Sequence, residues 1–152
     1  MKSHISKCIV DSVKELGKNV TYLSNRDIEV LYSNVVKQFI YSQKIPFWEY
    51  IDGGIGVHDK NGWSSIEVFL KDKEFILFTD PGDEKFALQI YDAHDLSDIL
   101  SNTIGFQFYV TDFSFLWMVC FNDHDNLIVK GEKVELWLLS TYDKDEIVYL
   151  SE

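Results

Sequence analysis

Residues 105–129 read GFQFYVTDFSFLWMVCFNDHDNLIV, a pattern of strands separated by turns. Apolar and polar residues alternate over 106–111, and this period of two predicts a strand with one buried and one partly solvated face. Residues 116–121 are apolar at both parities, which is typical of a central strand covered on both faces. Residues 112–114 and 122–126 carry the Asp, Ser and Asn that favour turns. The stretch therefore predicts the antiparallel centre of a sheet, with a core that includes Phe106, Phe108, Trp117, Val119 and Phe121.

Two helices are predicted in the first third of the chain, where apolar residues recur at helical spacing. The first begins after Ser3, a suitable N-cap, and closes at Gly17. The second begins at Ser24, which with Asp27 resembles a capping box. It ends before Pro46, because the residue that precedes a proline avoids the helical conformation.

The remaining elements follow from alternation and turn signals. The six predicted strands lie within 63–70, 74–78, 85–91, 106–111, 116–121 and 127–130. A helix capped by Asp92 separates the third strand from the fourth. Residues 132–140 fit either a strand or a helix, of which we favour the helix, and residues 147–150 fit an edge strand.

The order of elements predicts an α+β fold in a single domain, residues 1–152. Hairpin-length connections favour a mainly antiparallel sheet of about six strands, and we expect the helices to pack on one face of it. The glycine-rich segment 52–56 is interpreted as a surface turn, because no Lys-Ser or Lys-Thr follows it as in a phosphate-binding loop. Trp48 and Trp63 flank this segment and are expected to close the core.

Acidic residues dominate the charge of the chain, with 25 Asp and Glu against 14 Lys and Arg and a net charge of −11. Such a charge repels nucleic acid and anionic lipid and favours basic partners. The alternative explanation is that the acidity serves only to keep the protein soluble. Cys8 and Cys120 lie in apolar settings and fit reduced, buried thiols. The sequence shows no secretory signal or membrane-spanning run, so the cytoplasm is the expected compartment.

The acidic residues are unevenly distributed, since residues 86–129 contain six Asp and no Lys or Arg. A surface of one sign steers an oppositely charged partner. Several of these residues also suit helix caps and turns, and the two roles are compatible. The candidate partner-binding residues are Asp92, Asp95, Asp112, Asp123, His124 and Asp125. Because successive turns of a meander lie at opposite ends of the sheet, Asp112 is expected in a different patch from Asp123 and Asp125.

Histidine is followed by aspartate three times, at residues 58–59, 94–95 and 124–125. Imidazole and carboxylate groups together bind metals or transfer protons. Neighbouring side chains diverge on any regular element, however, so none of these pairs forms a site by itself. We therefore predict no catalytic residue, no metal site and no cofactor.

Residues 116–128, LWMVCFNDHDNLI, are followed by Gly131, and this segment resembles part of a family of small bacterial proteins. That family carries an aromatic-rich strand, a turn reading Asn-His-His-Asp, then Leu-Ile and a glycine. Its members look like immunity proteins of polymorphic toxin systems. The segment covers about a tenth of the chain, and Asp123 stands where the family usually has His.

The resemblance implies a cytosolic immunity protein that binds and occludes a cognate toxin, and the toxin could be a basic nuclease. An acidic inhibitor would be steered onto the substrate channel of such an enzyme and would mimic phosphate. The alternatives are a module that binds a small ligand or serves a housekeeping role, and a hydrolase that uses His and Asp side chains. A flat acidic patch favours the first, a deep apolar pocket the second and a convergent His/Asp pocket the third.

Overall fold

A computed structural model describes residues 4–42, 44–103 and 105–150 of the chain. In this part of the protein, eight strands form one antiparallel sheet. The strands are β1 (Val20–Tyr22), β2 (Ile55–His58), β3 (Phe75–Thr79), β4 (Ala87–Ile90), β5 (Phe108–Thr111), β6 (Met118–Phe121), β7 (Asn126–Lys130) and β8 (Ile147–Tyr149). The α-helical segments are α1 (His4–Leu16), α2 (Asn25–Phe39), α3 (Gly62–Ser65), α4 (Glu67–Leu70), α5 (Ala93–Ser101) and α6 (Glu132–Thr141). Short 3₁₀ helices cover Phe47–Tyr50 and Lys144–Glu146.

The spatial order of the strands is β1-β4-β3-β5-β6-β7-β2-β8. The predicted α+β class, the antiparallel pairing and the central position of β5, β6 and β7 are confirmed. The number of strands exceeds the predicted six. Within the described ranges, no helix has the length and apolar character needed to cross a membrane.

Helices cover both faces of the sheet, so the predicted packing on one face is wrong. One core cluster joins α1, α3, α4, α5 and α6 to strand residues such as Leu77, Val119 and Val129. The other joins α2 and the Phe47–Tyr50 turn to Phe78, Tyr109 and neighbouring side chains on the opposite face. The sheet is thus the middle of three layers, and its central strands have no solvated face.

Strand β6 shows the double burial that its sequence predicts. Val119 and Phe121 lie in the first cluster, whereas Met118 and Cys120 lie in the second. In β5 the prediction of one partly solvated face is wrong, because Tyr109 and Thr111 are fully buried beneath the layer that contains α2. The polar residues of the alternating pattern can be buried because the hydroxyl groups of Tyr109 and Thr111 donate hydrogen bonds to buried acceptors.

Residues 62–70 form the helical turns α3 and α4 instead of the predicted strand. Ile66 and Leu70 point into the first cluster at a spacing of four, while Val68 is exposed. Ile66, Val68 and Leu70, whose spacing of two suggested a strand, therefore do not share one face of this helical segment. The sequence pattern alone does not distinguish a strand from a short helix, because it does not show whether a neighbouring strand is available for pairing.

The glycine-rich segment is only partly the surface turn that was predicted. Gly53 and Gly54 adopt left-handed φ values of 76° and 91°, as a turn allows. From Ile55 onward the chain forms β2, which pairs with both β7 and β8. Strand β1 was also missed, since three residues carry too short a pattern to predict a strand.

The helix boundaries agree with the predicted signals. The Ser24 hydroxyl accepts a hydrogen bond from the Asp27 backbone N–H, and Asp92 caps α5 by accepting from the His94 N–H. Gly17 closes α1 with a φ of 66°. The predicted N-cap Ser3 lies outside the described residues. Residues 132–140 are helical and residues 147–149 form an edge strand, as favoured above.

Gly131 has a geometric reason to be glycine. Its φ is 124°, and a Cβ added there would lie 2.5 Å from the Leu116 carbonyl oxygen and 2.7 Å from the Trp117 Cα. The start of α6 can therefore cross close to the chain that leads into β6. Trp117 is held on its other side by a hydrogen bond of 3.0 Å from its indole Nε1 to Asp112 Oδ2.

Replacing Trp117 with alanine tests the central position of β6. The side chain is 6% exposed and packs edge-to-face on Phe69, so we expect the free energy of unfolding to fall by roughly 3–5 kcal/mol. Leu116→Ala is the matched control: Leu116 is 75% exposed, and its loss should change stability by no more than about 0.5 kcal/mol. Urea unfolding measures both, and equal midpoints would contradict the packing described here.

Candidate functional site

A pocket of about 450 Å³ opens over β7, β2 and β8, on the face of the sheet that carries α2. It is called here the Trp48–Asn122 pocket. Its lining residues are Trp48, Glu49, Gly56, Val57, His58, Asn122, Asn126, Ile128, Glu146, Val148 and Leu150. The volume is within the range of small-ligand and side-chain pockets in proteins.

The floor of the pocket is made by three residues that face each other across adjacent strands. Gly56 pairs with Ile128 on one side and with Val148 on the other, so the three share one face of the sheet. Because Gly56 has no side chain, a hollow remains between its two apolar neighbours. A Cβ at this position would lie 3.4 Å from Ile128 Cγ1, which shows that the missing side chain would enter this space.

Trp48 contributes the wall nearest to α2, and a buried network holds it in place. Its backbone N–H donates to the Tyr109 hydroxyl at 3.0 Å, and its indole Nε1 donates to Gln107 Oε1 at 2.9 Å. The Tyr109 hydroxyl in turn donates to Asp80 Oδ2 at 2.5 Å. Burial raises the pKa of Tyr109 well above its usual value, so its hydroxyl remains protonated and available as a donor.

Asp80 anchors this network although it is fully buried. Its carboxylate accepts from the Phe47 N–H at 2.8 Å and the Gly82 N–H at 2.9 Å, in addition to Tyr109. Three donors satisfy the oxygens of a polar group that would otherwise be costly to bury. The same carboxylate therefore ties the 80–84 turn, strand β5 and the segment that carries Trp48 to one another.

Asn122 closes the end of the pocket and holds the turn between β6 and β7. It is 1% exposed, and its Oδ1 accepts from the backbone N–H groups of His124 and Asn126, both at 3.0 Å. Its Nδ2 is buried and has no hydrogen-bond partner among the described residues. The amide of Asn122 thus has two N–H donors that the described residues leave unpaired.

Two of the three His-Asp pairs meet at this end of the sheet, because His58 and Asn126 are paired across β2 and β7. His58 Nδ1 lies 3.2 Å from Asn126 Oδ1, and the His124 ring contacts Trp48 edge-on at 5.6 Å between centroids. The third pair is elsewhere, where His94 lies 3.5 Å from Glu67.

In the described part of the chain, the histidines at this end have no carboxylate positioned for proton transfer in the pocket. Asp59 Oδ2 accepts from the Tyr142 hydroxyl at 2.7 Å, and burial raises the pKa of Tyr142 to about 12. The nearest carboxylate to His124 is Asp123, at 3.6 Å, and both side chains are 66% exposed. Among residues 4–42, 44–103 and 105–150, no group of three or more His, Cys, Asp or Glu is arranged to hold a metal ion.

The acidic candidate residues lie at two ends of the sheet, as the meander predicts. Asp123, His124 and Asp125 form the 122–126 turn, and we call this end the Asn122 end. Asp112 lies in the turn at the opposite end, the Asp112 end. Asp92 is also at the Asp112 end. It follows Ile90, the last residue of β4, which pairs with Phe75 at the start of β3.

Not every candidate carboxylate is free to attract a partner. Asp95 lies 3.1 Å from Lys18 Nζ, and Asp98 lies 2.6 Å from the same ammonium group. These hydrogen bonds, that of Asp98 foremost, raise the pKa of Lys18. Asp112 accepts from the Ser114 N–H and the Trp117 indole. Lys18, in the segment between α1 and β1, therefore offsets the acidic charge of α5, although residues 86–129 contain no Lys or Arg of their own.

The Trp48–Asn122 pocket adds two carboxylates to the Asn122 end that the sequence did not single out. Glu49 and Glu146 both line it, both are exposed, and neither forms an ion pair in the described part of the chain. The lining contains no lysine or arginine. Lys60 and Lys144 are exposed in adjoining segments but do not line the pocket. The pocket is thus apolar at its floor and acidic in its charged groups.

Sequence reasoning missed Asp80, Trp48 and Asn122 as residues of a site. Asp80 begins the stretch Asp80-Pro81-Gly82-Asp83, whose residue types favour a turn, and Thr79 separates it from the fully apolar run 75–78. Trp48 was assigned to the core, and the structure places it at the border between core and pocket. For Asn122 the sequence offers one signal, its position at the start of a predicted turn. Asn side chains in such positions commonly accept hydrogen bonds from backbone N–H groups.

Comparison with known proteins gives no relative for this chain: no protein-family model, curated protein or solved structure matches it. The geometry of its own residues is therefore the basis for a functional proposal.

Asn122→Ala tests the role of this side chain in the turn. The substitution removes the acceptor of two backbone N–H groups, so we expect the free energy of unfolding to fall by roughly 1–3 kcal/mol. Asp123→Ala in the same turn removes an exposed side chain and should change stability by less than about 0.5 kcal/mol. If urea denaturation gave the two variants the same midpoint, Asn122 would not be the residue that holds the turn.

Proposed function

We propose that this protein is an immunity protein, which binds a basic, nuclease-type toxin and occludes it. The observation that carries the proposal is the Asn122 end of the sheet, where Glu49 and Glu146 line a pocket to which the described residues contribute no Lys or Arg, and where Asp123 and Asp125 lie in the same turn as the pocket residue Asn122. The resemblance of residues 116–128 to immunity proteins supports the same reading, and this segment includes the acidic turn.

Electrostatic attraction explains how such a surface would act. With a net charge of −11 the chain repels nucleic acid and attracts cationic protein surfaces. A nuclease presents a cationic channel to its substrate, and exposed carboxylates held on a rigid turn would compete for it. The turn is rigid because Asn122 Oδ1 binds two of its backbone N–H groups and the Asp59 N–H donates to the Asp125 carbonyl at 2.9 Å.

Inhibition in this proposal is by occlusion and involves no chemistry at the interface. The histidines at the Asn122 end face an amide or an exposed carboxylate, as described above, so they supply no oriented acid–base pair. The protein would act in the cytoplasm, where a cytosolic toxin has its substrate.

A second candidate function is the binding of a small ligand, with an acidic surface that serves solubility. The unpartnered Asn122 Nδ2 and the apolar floor of the pocket favour this candidate. The two candidates differ in what they require outside the pocket: only the immunity proposal needs Asp123 and Asp125, which are absent from the pocket lining.

Asp123→Asn with Asp125→Asn tests the electrostatic part of the proposal. Asp125 has a φ of 61°, which asparagine also adopts readily, so the turn is retained. We expect the association rate with the cognate basic toxin to fall roughly two- to fivefold. The rate for the unchanged protein should also fall with salt, since screening acts over about 8 Å at physiological ionic strength. Stopped-flow fluorescence measures both effects.

Asp72→Asn with Glu132→Gln is the matched control for that experiment. It removes the same charge at the Asp112 end, and Asp72 also has a left-handed φ, of 63°. This variant should retain most of the association rate. An association rate that responds to neither salt nor the changes at the Asn122 end would remove the electrostatic argument and favour the small-ligand candidate.

The proposal also predicts that the purified protein has no nuclease or hydrolase activity and holds no stoichiometric metal. The physical reason is that the His and Asp side chains near the pocket are bound to other groups. Elemental analysis and nuclease assays test this expectation. One tightly held metal ion per chain, lost on changing His124 and Asp125 to alanine, would contradict it.

A further inference from the structure

We propose that the Trp48–Asn122 pocket binds an arginine residue of the basic partner, with the guanidinium group near Glu49 and Glu146 and a backbone carbonyl on Asn122 Nδ2. This inference rests on the proposed function, because it names the side chain through which a basic protein would engage the Asn122 end. Three separate features of the pocket point to this occupant.

The first feature is the unused donor of Asn122. Its Oδ1 is fully occupied by the turn, which fixes the orientation of the amide and directs Nδ2 away from those two N–H groups. The Nδ2 atom is buried without a partner in the described ranges, and Asn122 lines the pocket. Because this nitrogen has less than 1 Å² of accessible surface, the lining must shift slightly for an acceptor oxygen of a ligand, such as a peptide carbonyl, to reach it.

The second feature is the charge of the lining. Glu49 and Glu146 are exposed carboxylates, and among residues 4–42, 44–103 and 105–150 no lysine or arginine lines the pocket to neutralise them. Glu146 Oε1 accepts from the Asp143 N–H at 3.1 Å, which holds this side chain just before the start of β8. The pocket thus favours a cation over a neutral or anionic group.

The third feature is the combination of an indole with an apolar floor. Ile128, Val148 and Leu150 offer a surface for the methylene stem of a long side chain. Trp48 supplies an aromatic surface, and a guanidinium group stacks on such surfaces more readily than a strongly hydrated ammonium group. Arginine is therefore preferred over lysine.

The test is an NMR titration of the full ¹⁵N-labelled protein with Nα-acetyl-L-arginine N-methylamide. This probe carries one guanidinium group and two amide carbonyls. We expect a dissociation constant of roughly 1–10 mM, as is usual for so small a ligand. The side-chain NH₂ resonances of Asn122 should move together with the indole N–H of Trp48, because both residues line the pocket.

The matched probe is the citrulline analogue, which replaces the guanidinium with a neutral ureido group of nearly the same shape. It should bind about five- to tenfold more weakly, since it keeps the carbonyl contact but not the charge. Glu49→Gln with Glu146→Gln should weaken the arginine probe by a similar factor and leave the citrulline probe unchanged. Asp72→Asn with Glu132→Gln should affect neither probe, and the amide spectrum shows whether each variant is folded.

Three results would overturn the inference: no movement of the Asn122 NH₂ resonances, equal affinity for the arginine and citrulline probes, or shifts confined to residues outside the pocket. Equal affinity would identify a pocket for neutral small ligands. The proposed function is tested separately by the association rate with the basic protein. Salt-dependent association without probe binding would retain the immunity proposal and reject the arginine pocket, whereas probe binding without any protein association would reject the immunity proposal.

Discussion

The buried carboxylate of Asp80 connects the parts of the structure that matter for the proposed site. It accepts hydrogen bonds from Tyr109 in β5, Phe47 in the 3₁₀ turn and Gly82 in its own turn. No cation pairs with it in the described part of the chain, so these donors must offset the cost of its burial. The Tyr109 hydroxyl also accepts a hydrogen bond from the Trp48 N–H, so one buried carboxyl group holds together the packing on the α2 face and the wall of the pocket.

The pocket exists because the layer over this face of the sheet is incomplete. Helix α2 covers β3, β5 and β6, and the chain then descends through the 47–50 turn before it reaches β2. Over β2 and β8 no large side chain fills the space, since Gly56 lies between Ile128 and Val148. A hollow is therefore left beside a well-packed core, and rigid strands supply its floor. Sites built on strands hold their geometry better than sites on loops.

At the Asn122 end no lysine or arginine of the described residues lines the acidic pocket, whereas Lys71 lines the pocket that Glu67, Asp72 and Asp92 form at the Asp112 end. At the latter, Asp112 is engaged by Trp117 and Asp92 is a helix cap, while on α5 the acidic charge is shared with Lys18. At the Asn122 end, exposed carboxylates adjoin a pocket with an unused amide donor. These features make the Asn122 end the better candidate for binding a cationic partner. A count of acidic residues along the chain does not distinguish the two ends.

The sequence by itself determined what depends on neighbours along the chain: the parity of β6, the turns at 112–114 and 122–126, the caps at Ser24 and Asp92, and the class of the fold. Local sterics and hydrogen bonds decide these features. Tertiary structure decided the rest. Residues 62–70 became helical, β2 formed from a glycine-rich segment, and β5 lost its solvated face, because partners distant in sequence determine pairing and burial. The pocket also depends on tertiary structure, because Trp48, Gly56 and Asn122 come together only through the pairing of β2 with β7.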